Sequence, residues 1–300
     1  MRSIIESVPN FSEGRREEVI EAIVGAVRAT PGVRVLDVKP DRDHNRTVLT
    51  LAGDEASLPA ATMALFEAAI ERIDLRQHRG EHPRMGAVDV VPFIPVRGVT
   101  MKDCVALAKQ VGSQIASRFS VPVYLYEEAA ATETRRNLSD IRKGEFEGFP
   151  EKIANPDWTP DFGPTAVHPS AGVVAVGARA FLIAYNVNLA TSDLSIADRI
   201  AKAIRHSSGG FRYAKAMGVA LQKRGIVQVS INMTDYRKTP LHRVFETVRS
   251  EAERYGVNVV GSEIIGLVPQ DALLAAVEHS LRIEGFSPKL VFENRLAEED

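Results

Sequence analysis

Short apolar runs alternate with helix-length amphipathic stretches along almost the whole of this 300-residue chain, and that alternation limits the fold more than any other feature. A strand is expected over residues 3–8. After Asn10-Phe11-Ser12-Glu13-Gly14, with Ser12 as its cap, comes a helix whose one face carries Val19, Ile20, Ile23, Val24 and Val27. Pro31-Gly32 stops that helix, and strands over 33–38 and 47–51 flank the polar loop Asp41-Arg42-Asp43-His44-Asn45-Arg46. An Ala- and Leu-rich helix over 57–73 leads to residues 88–94, a near-continuous apolar run that reads as a buried strand. Thr100 caps the next helix, and 121–126 is again a strand. Further on, strands are expected over 181–187, 219–222, 227–232 and 257–265. Helices are expected over 195–204, from Pro240 (capped by Thr239) to Tyr255, and, as the last helix, from Pro269. The pattern implies an α/β (α+β) protein of two halves, each with about four strands in a mixed or antiparallel sheet and helices on one face.

Residues 143–172 interrupt the alternation. They hold five of the 16 prolines (Pro150, Pro156, Pro160, Pro164, Pro169), the only tryptophan, Trp158, and Phe146, Phe149 and Phe162. A flexible linker would not carry so many aromatics, so the segment reads as an ordered connection that packs on the surface and lines a site. Charge nearly balances, with 37 Lys+Arg against 39 Asp+Glu, which argues against a dedicated nucleic-acid binder. Yet residues 201–250 hold ten basic residues against only Asp235 and Glu246, an expected basic field for an anionic ligand. The lone cysteine, Cys104, excludes an intrachain disulfide and reads as a small core hydrophobe beside Leu107, Ala108, Val111 and Ile115. No run of 18 apolar residues suggests a membrane span, and Glu6 and Pro9 interrupt any signal region, so a cytoplasmic protein is expected. Neither a Gly-x-Gly-x-x-Gly after the first strand nor a Walker A sequence is present.

Of seven histidines, His242 and His279 fall on predicted helices off the apolar stripes, as surface residues would, and His206 precedes the loop Ser207-Ser208-Gly209-Gly210. His44, His78, His82 and His168 lie in loops next to strand ends. His82 stands in Arg79-Gly80-Glu81-His82-Pro83-Arg84-Met85-Gly86, where Gly80, Pro83 and Gly86 prevent a helix. A rigid loop holding an imidazole suits acid/base work near neutral pH, and equally suits a histidine that bonds its own turn. His78 and His82 are four apart, which suits zinc only on a helix, so no metal is expected.

The run from His82-Pro83-Arg84-Met85-Gly86-Ala87-Val88-Asp89-Val90 to Val91-Pro92-Phe93-Ile94-Pro95 resembles the signature of glutamate formimidoyltransferases. Val8-Pro9-Asn10-Phe11-Ser12-Glu13-Gly14, Asn45-Arg46-Thr47-Val48, Pro122-Val123-Tyr124-Leu125-Tyr126, Pro160-Asp161-Phe162-Gly163-Pro164, Phe181-Leu182-Ile183-Ala184-Tyr185-Asn186 and Ile265-Gly266-Leu267-Val268-Pro269 are similar as well. The resemblance, to the stand-alone form without a cyclodeaminase domain, implies two ferredoxin-like subdomains, residues 1–178 and 179–300. Each would be a mixed β-sheet with helices on its outer face, and together they would enclose a folate-binding groove. It implies transfer of the formimino group of N-formimino-L-glutamate to N5 of tetrahydrofolate, in histidine degradation and one-carbon supply. It also implies a homodimer acting on small molecules, with no metal, nucleic acid or membrane partner.

The family's catalytic histidine corresponds to His82. Its folate-contacting stretch corresponds to Gly163, Pro164, Thr165, Ala166, Val167, His168, Pro169, Ser170, Ala171 and Gly172. Donor and polyglutamylated folate both bring carboxylates, for which Arg46 and Arg84 in the matching loops are apt partners. Asn45, Asp41 and Asp43, with Asp37 and Asp89, are candidates to orient His82 or stabilise the cationic amidinium. Lys39 stands where animal members carry an aspartate, which leaves formiminoglutamate, formylglutamate and a formylated folate open as donor. The alternative is a folate-binding or 5-formyltetrahydrofolate-processing protein of the same fold.

Overall fold

Strand β1 (Ile4–Ser7) turns Ile5 into a helix-covered core and sits between β4 (Arg46–Gly53) and β5 (Val88–Arg97), antiparallel to both. β2 (Asn10–Phe11) extends the same line, and β3 (Arg34–Asp41) adds to the far side of β4. With α1 (Glu17–Arg28) and α2 (Ser57–Arg72) as crossovers, this is the β-α-β-β-α-β arrangement of a ferredoxin-like unit. The computed structural model describes residues 3–297, and the chain divides into two compact units after Arg179.

The first unit goes further than four strands. α3 (Met101–Phe119) leads to β6 (Val123–Glu127), and β7 (Val174–Ala178) inserts parallel to both β5 and β6, giving a mixed sheet of seven strands among the described residues. β7 is not foreseen in the sequence, because Val173-Val174-Ala175-Val176-Gly177-Ala178 follows the Pro-rich stretch and is too short and small to show a period. One face of the sheet is closed by apolar stripes: Ile23, Val24 and Val27 of α1, Leu65 and Phe66 of α2, and Leu107, Val111 and Ile115 of α3. α3 starts at a reciprocal capping box between Thr100 and Asp103, as expected. Cys104 lies fully buried in this core, where burial pushes its thiol up to about 12 and leaves it unreactive. Ser12 does not cap α1. Its hydroxyl donates to the Gly86 carbonyl (2.8 Å), while α1 begins after Arg16 without a side-chain cap.

The opposite face of β5, β7 and β6 is covered by α4 (Leu138–Arg142) and by the Pro-rich segment that follows it, which begins as α5 (Glu145–Ile153). Ile141 and Phe149 enter a buried cluster with Met85, Val90, Tyr124, Tyr126, Val173 and Ala175. Tyr124 lies 5.7 Å from the Phe149 ring and 6.3 Å from that of Trp158, and its hydroxyl donates to the Trp158 carbonyl (2.6 Å). Lys152 Nζ donates to the carbonyls of Asp140 (2.6 Å), Ile141 (2.7 Å) and Lys143 (3.1 Å) and sits 3.8 Å from the centre of the Trp158 ring. The segment is thus a second core layer, more than the surface connection its composition suggests.

The second unit repeats the plan with β8 (Ile183–Leu189), α6 (Leu194–Ile204), β9 (Ala214–Leu221), β10 (Ile226–Met233), α7 (Leu241–Arg254) and β11 (Val259–Ile265), in the order β11-β8-β10-β9. Each helical crossover joins strands that are not neighbours, so every neighbouring pair is antiparallel and the sheet is not mixed. Pro240, not Thr239, occupies the cap of α7. Pro269 does open α8 (Gln270–Leu281), but α9 (Phe292–Leu296) follows it. His242 and His279 stack ring on ring, 4.2 Å apart, instead of standing as separate surface residues. Part of the basic excess is spoken for: Arg237 pairs with Asp271, Lys238 with Asp235, and Arg249 with Glu246 and Glu253. Among the described residues no helix is long and apolar enough to cross a membrane.

If α4 and α5 form a core layer, Phe149→Ala should cost about 3–5 kcal/mol in urea unfolding, the range for deleting a buried aromatic. A loss below about 1 kcal/mol would mean that the segment packs only as a surface loop.

Candidate active site around His82

Two loops of the first unit are fused to make the site. Asn45 adopts a left-handed conformation (φ 50), which an asparagine tolerates better than most residues. Its side chain accepts from the Gly14 N–H (3.0 Å) and donates to the Arg79 carbonyl (2.9 Å), while its own carbonyl accepts from His78 Nε2 (2.7 Å). Gly80 permits this contact, since a Cβ there would lie 2.3 Å from the His44 carbonyl oxygen. Asp41 receives the His44 N–H (2.9 Å) and ring Nδ1 (2.9 Å). Asp43 is exposed, and its carbonyl accepts from the Glu81 N–H (3.2 Å). Asp37 lies 3.9 Å from Lys39 on β3.

The segment that follows is pinned at both ends by the α4–α5 layer. Arg84 is buried and directs its guanidinium at Glu147 (2.6 and 2.8 Å) and Glu145 (3.2 Å), while its carbonyl accepts from the Phe146 N–H (3.0 Å). Asp89 is 1% exposed and points inward. One of its oxygens accepts from the Met85 N–H (2.7 Å), the other from Arg142 Nε (2.8 Å) and Nη2 (2.5 Å). Asp89 is therefore filled by these donors and makes no hydrogen bond to His82.

His82 itself is 5% exposed, and its Nδ1 is buried without a hydrogen-bond partner. Burial pushes its pKa down to about 3. The Asp89 charge opposes that shift, while Arg142, Arg46 and His44 add to it. The ring is neutral at pH 7 and free to accept a proton. Arg46, at the start of β4, has a buried Nε with no partner and forms no ion pair among the described residues. Burial and then Arg142 lower its basicity, while Asp41 and Asp89 support its charge. A guanidinium remains protonated under such pressure and is a ready carboxylate fork.

The stretch 163–172 is tied to the same segment. Ala87 N–H donates to the Ala171 carbonyl (2.9 Å) and Val173 N–H to the Met85 carbonyl (2.9 Å). Gly172 has φ 71, and a Cβ on it would meet the Met85 carbonyl oxygen at 2.1 Å, so only glycine fits. Ala171 and Gly172 are buried by this tie, Val167, His168 and Ser170 are half-buried, and Gly163, Pro164, Thr165, Ala166 and Pro169 are exposed. His168 Nδ1 accepts from the Ala171 N–H (3.0 Å), which fixes its ring within the turn. Thus His82, Asn45, Arg46, His44, Asp41 and Asp89 come together, whereas Arg84 is committed to two glutamates. Arg142 and Lys152 belong to the arrangement and carry no sequence signal, since α4 is too short for a periodic pattern. Among the described residues no three His, Cys, Asp or Glu side chains gather as a metal-binding set.

Residues 4–179 match the formiminotransferase domain, N-terminal subdomain, and residues 184–294 match the formiminotransferase domain. The chain is 50% identical to glutamate formimidoyltransferase of Streptococcus pyogenes serotype M1 over 297 residues, 99% of each chain. It is 45% identical to the protein of the same name from Thermoplasma acidophilum, over 98% of this chain and 97% of that one. Mouse formimidoyltransferase-cyclodeaminase is 47% identical over 282 residues, 92% of this chain and 52% of the mouse protein, so this chain spans about half its length. These matches cover both units in order, and the chain belongs to the formiminotransferase family.

Proposed function

We propose that this chain is a glutamate formimidoyltransferase, moving the formimino group of N-formimino-L-glutamate to N5 of tetrahydrofolate and releasing L-glutamate. The observation that carries the reading is the likeness over the full length of both chains to enzymes of that name. The site supports it chemically. N5 attacks the formimino carbon, and a bond from N5 to that carbon forms as the bond from carbon to the glutamate nitrogen breaks. One proton must leave N5 and one must reach the departing nitrogen. His82, neutral and with an unpartnered Nδ1, is suited to take the first and return the second. A low pKa fits this order: N5 is attached to an aromatic ring and is very acidic once it has attacked, whereas the glutamate nitrogen is an alkyl amine that readily takes a proton.

Arg46 is the group we assign to a donor carboxylate, since its Nε is buried without a hydrogen-bond partner and it forms no ion pair among the described residues. Asn45, through its three hydrogen bonds, holds the loop that presents Arg46. Asp41 and Asp43 are the acids nearest in sequence to carry the amidinium charge, and Gly163 to Gly172 is the stretch we assign to folate. Polyglutamylated tetrahydrofolate is the co-substrate in this reading, and the chain is a cytoplasmic homodimer serving histidine breakdown and one-carbon supply.

Three outcomes follow. With tetrahydrofolate and a donor panel of formiminoglutamate, formylglutamate and 5-formyltetrahydrofolate, absorbance should report 5-formiminotetrahydrofolate from the first donor. Tight folate binding with no product would contradict the reading. His82→Ala should fold normally and lose about 10²–10⁴-fold in turnover, the usual worth of a general acid/base, and near-wild-type turnover would remove His82 from the mechanism. Arg46→Met should raise KM for the donor with a smaller change in kcat, and an unchanged KM would show that the carboxylate binds elsewhere.

A further inference from the structure

Asp89 and His82 are both buried in the same small region, and a buried carboxylate beside an imidazole ordinarily draws a proton onto it. Here burial favours the neutral ring most strongly, and Arg142 is the largest charge that acts with it. Among the described residues the one cation that pairs with Asp89 is Arg142, which reaches it from α4 through Nε and Nη2, both onto the same oxygen. The other oxygen is occupied by the Met85 N–H, three residues beyond His82. We propose that Arg142 is a positioning residue for the transfer reaction: by neutralising Asp89 and fixing it on the Met85 N–H, it keeps the His82 imidazole uncharged and its loop in place to accept the proton from N5.

The charged neighbours of His82 fit this role. From β5 comes Asp89, from α4 Arg142, and from the 41–46 loop Arg46 and His44, the last held by Asp41. On its own loop Glu81 is exposed and Arg84 is consumed by Glu145 and Glu147. Asp89 is thus the charge that raises the imidazole's basicity, and Arg142 is the largest of the charges that oppose it. Arg142 is in turn set from behind. Lys152 holds the carbonyls of Asp140, Ile141 and Lys143, on both sides of Arg142, and packs on Trp158. This gives the Pro- and aromatic-rich segment a purpose: through Lys152 and Trp158 it braces the helix that carries the Arg142 charge to the site.

The proposal rests on the transferase reading, so its test uses a readout independent of turnover. Imidazole NMR shifts of His82, assigned by their loss in His82→Gln, are followed between pH 4 and 8 in the full chain. Wild type should show a neutral ring throughout. Arg142→Gln should bring the titration midpoint into this window, a rise on the order of two units, the size expected when a nearby charge loses its partner. Arg142→Lys, which keeps the charge and loses the fork, should return the ring to neutral across the window. If Arg142→Gln does not fold, the double variant R142Q/D89N leaves no unpaired buried carboxylate and decides the matter: its His82 should titrate as in wild type or lower. A neutral His82 throughout in folded Arg142→Gln, or a raised midpoint in the double variant, would overturn the proposal whether or not the chain transfers a formimino group. Failure of wild type to form 5-formiminotetrahydrofolate would overturn only the transferase reading, because the NMR titration does not depend on it.

Discussion

The carboxylate of Asp89 ties together three parts of the first unit, the start of β5, the loop that carries His82, and α4, beside the apolar cluster in which Val90, Met85 and Ile141 also meet. An ion buried this deeply is tolerated only when its lone pairs are filled and its charge is matched, and both conditions are met by one backbone N–H and one guanidinium fork. Breaking such a pair from one side leaves an uncompensated buried charge, so the three parts hold as a unit or fail as one. Arg84 repeats the device four residues upstream of the strand, with Glu145 and Glu147 as partners. The short segment between the two clamps is the one that also zips to residues 171–173.

This arrangement decides the state of His82 by a contest of opposed effects. Removal from water is the largest and favours the neutral ring. Arg142, Arg46 and His44 act in the same direction, and Asp89 acts against them. The result is an imidazole whose Nδ1 and a guanidinium whose Nε are both buried without a hydrogen-bond partner. Both are costs that a site made only for stability would not carry, and both are what a substrate with a transferable proton and carboxylates would relieve.

Much of this was legible in the sequence where a physical rule has a local signature. The spacing of Val19, Ile20, Ile23, Val24 and Val27 gives α1, and Thr100 with Asp103 marks the start of α3. Gly80 and Pro83 identify the His82 loop as rigid and non-helical, and the density of aromatics marks residues 143–172 as ordered. What escaped is non-local. β7 is a five-residue run of small side chains whose identity as a strand depends on the gap between β5 and β6. Ser12 looks like a helix cap until a carbonyl 74 residues away claims its hydroxyl. Arg142 is one basic residue in a five-residue helix, 53 positions from Asp89, and no spacing rule connects them. Arg84 shows the converse, for its loop is recognisable while its two glutamate partners are not.

The free protein presents His82 already neutral, its buried Nδ1 without an internal partner. The pH dependence of kcat/KM for formimino transfer by the wild-type chain tests this most directly, because that ratio reports the ionisations of the free enzyme. With the imidazole held down to about 3, activity should stay level from pH 8 to about 5.5. An acid limb with its midpoint near 6.5, the value of an ordinary solvated histidine, would contradict the account.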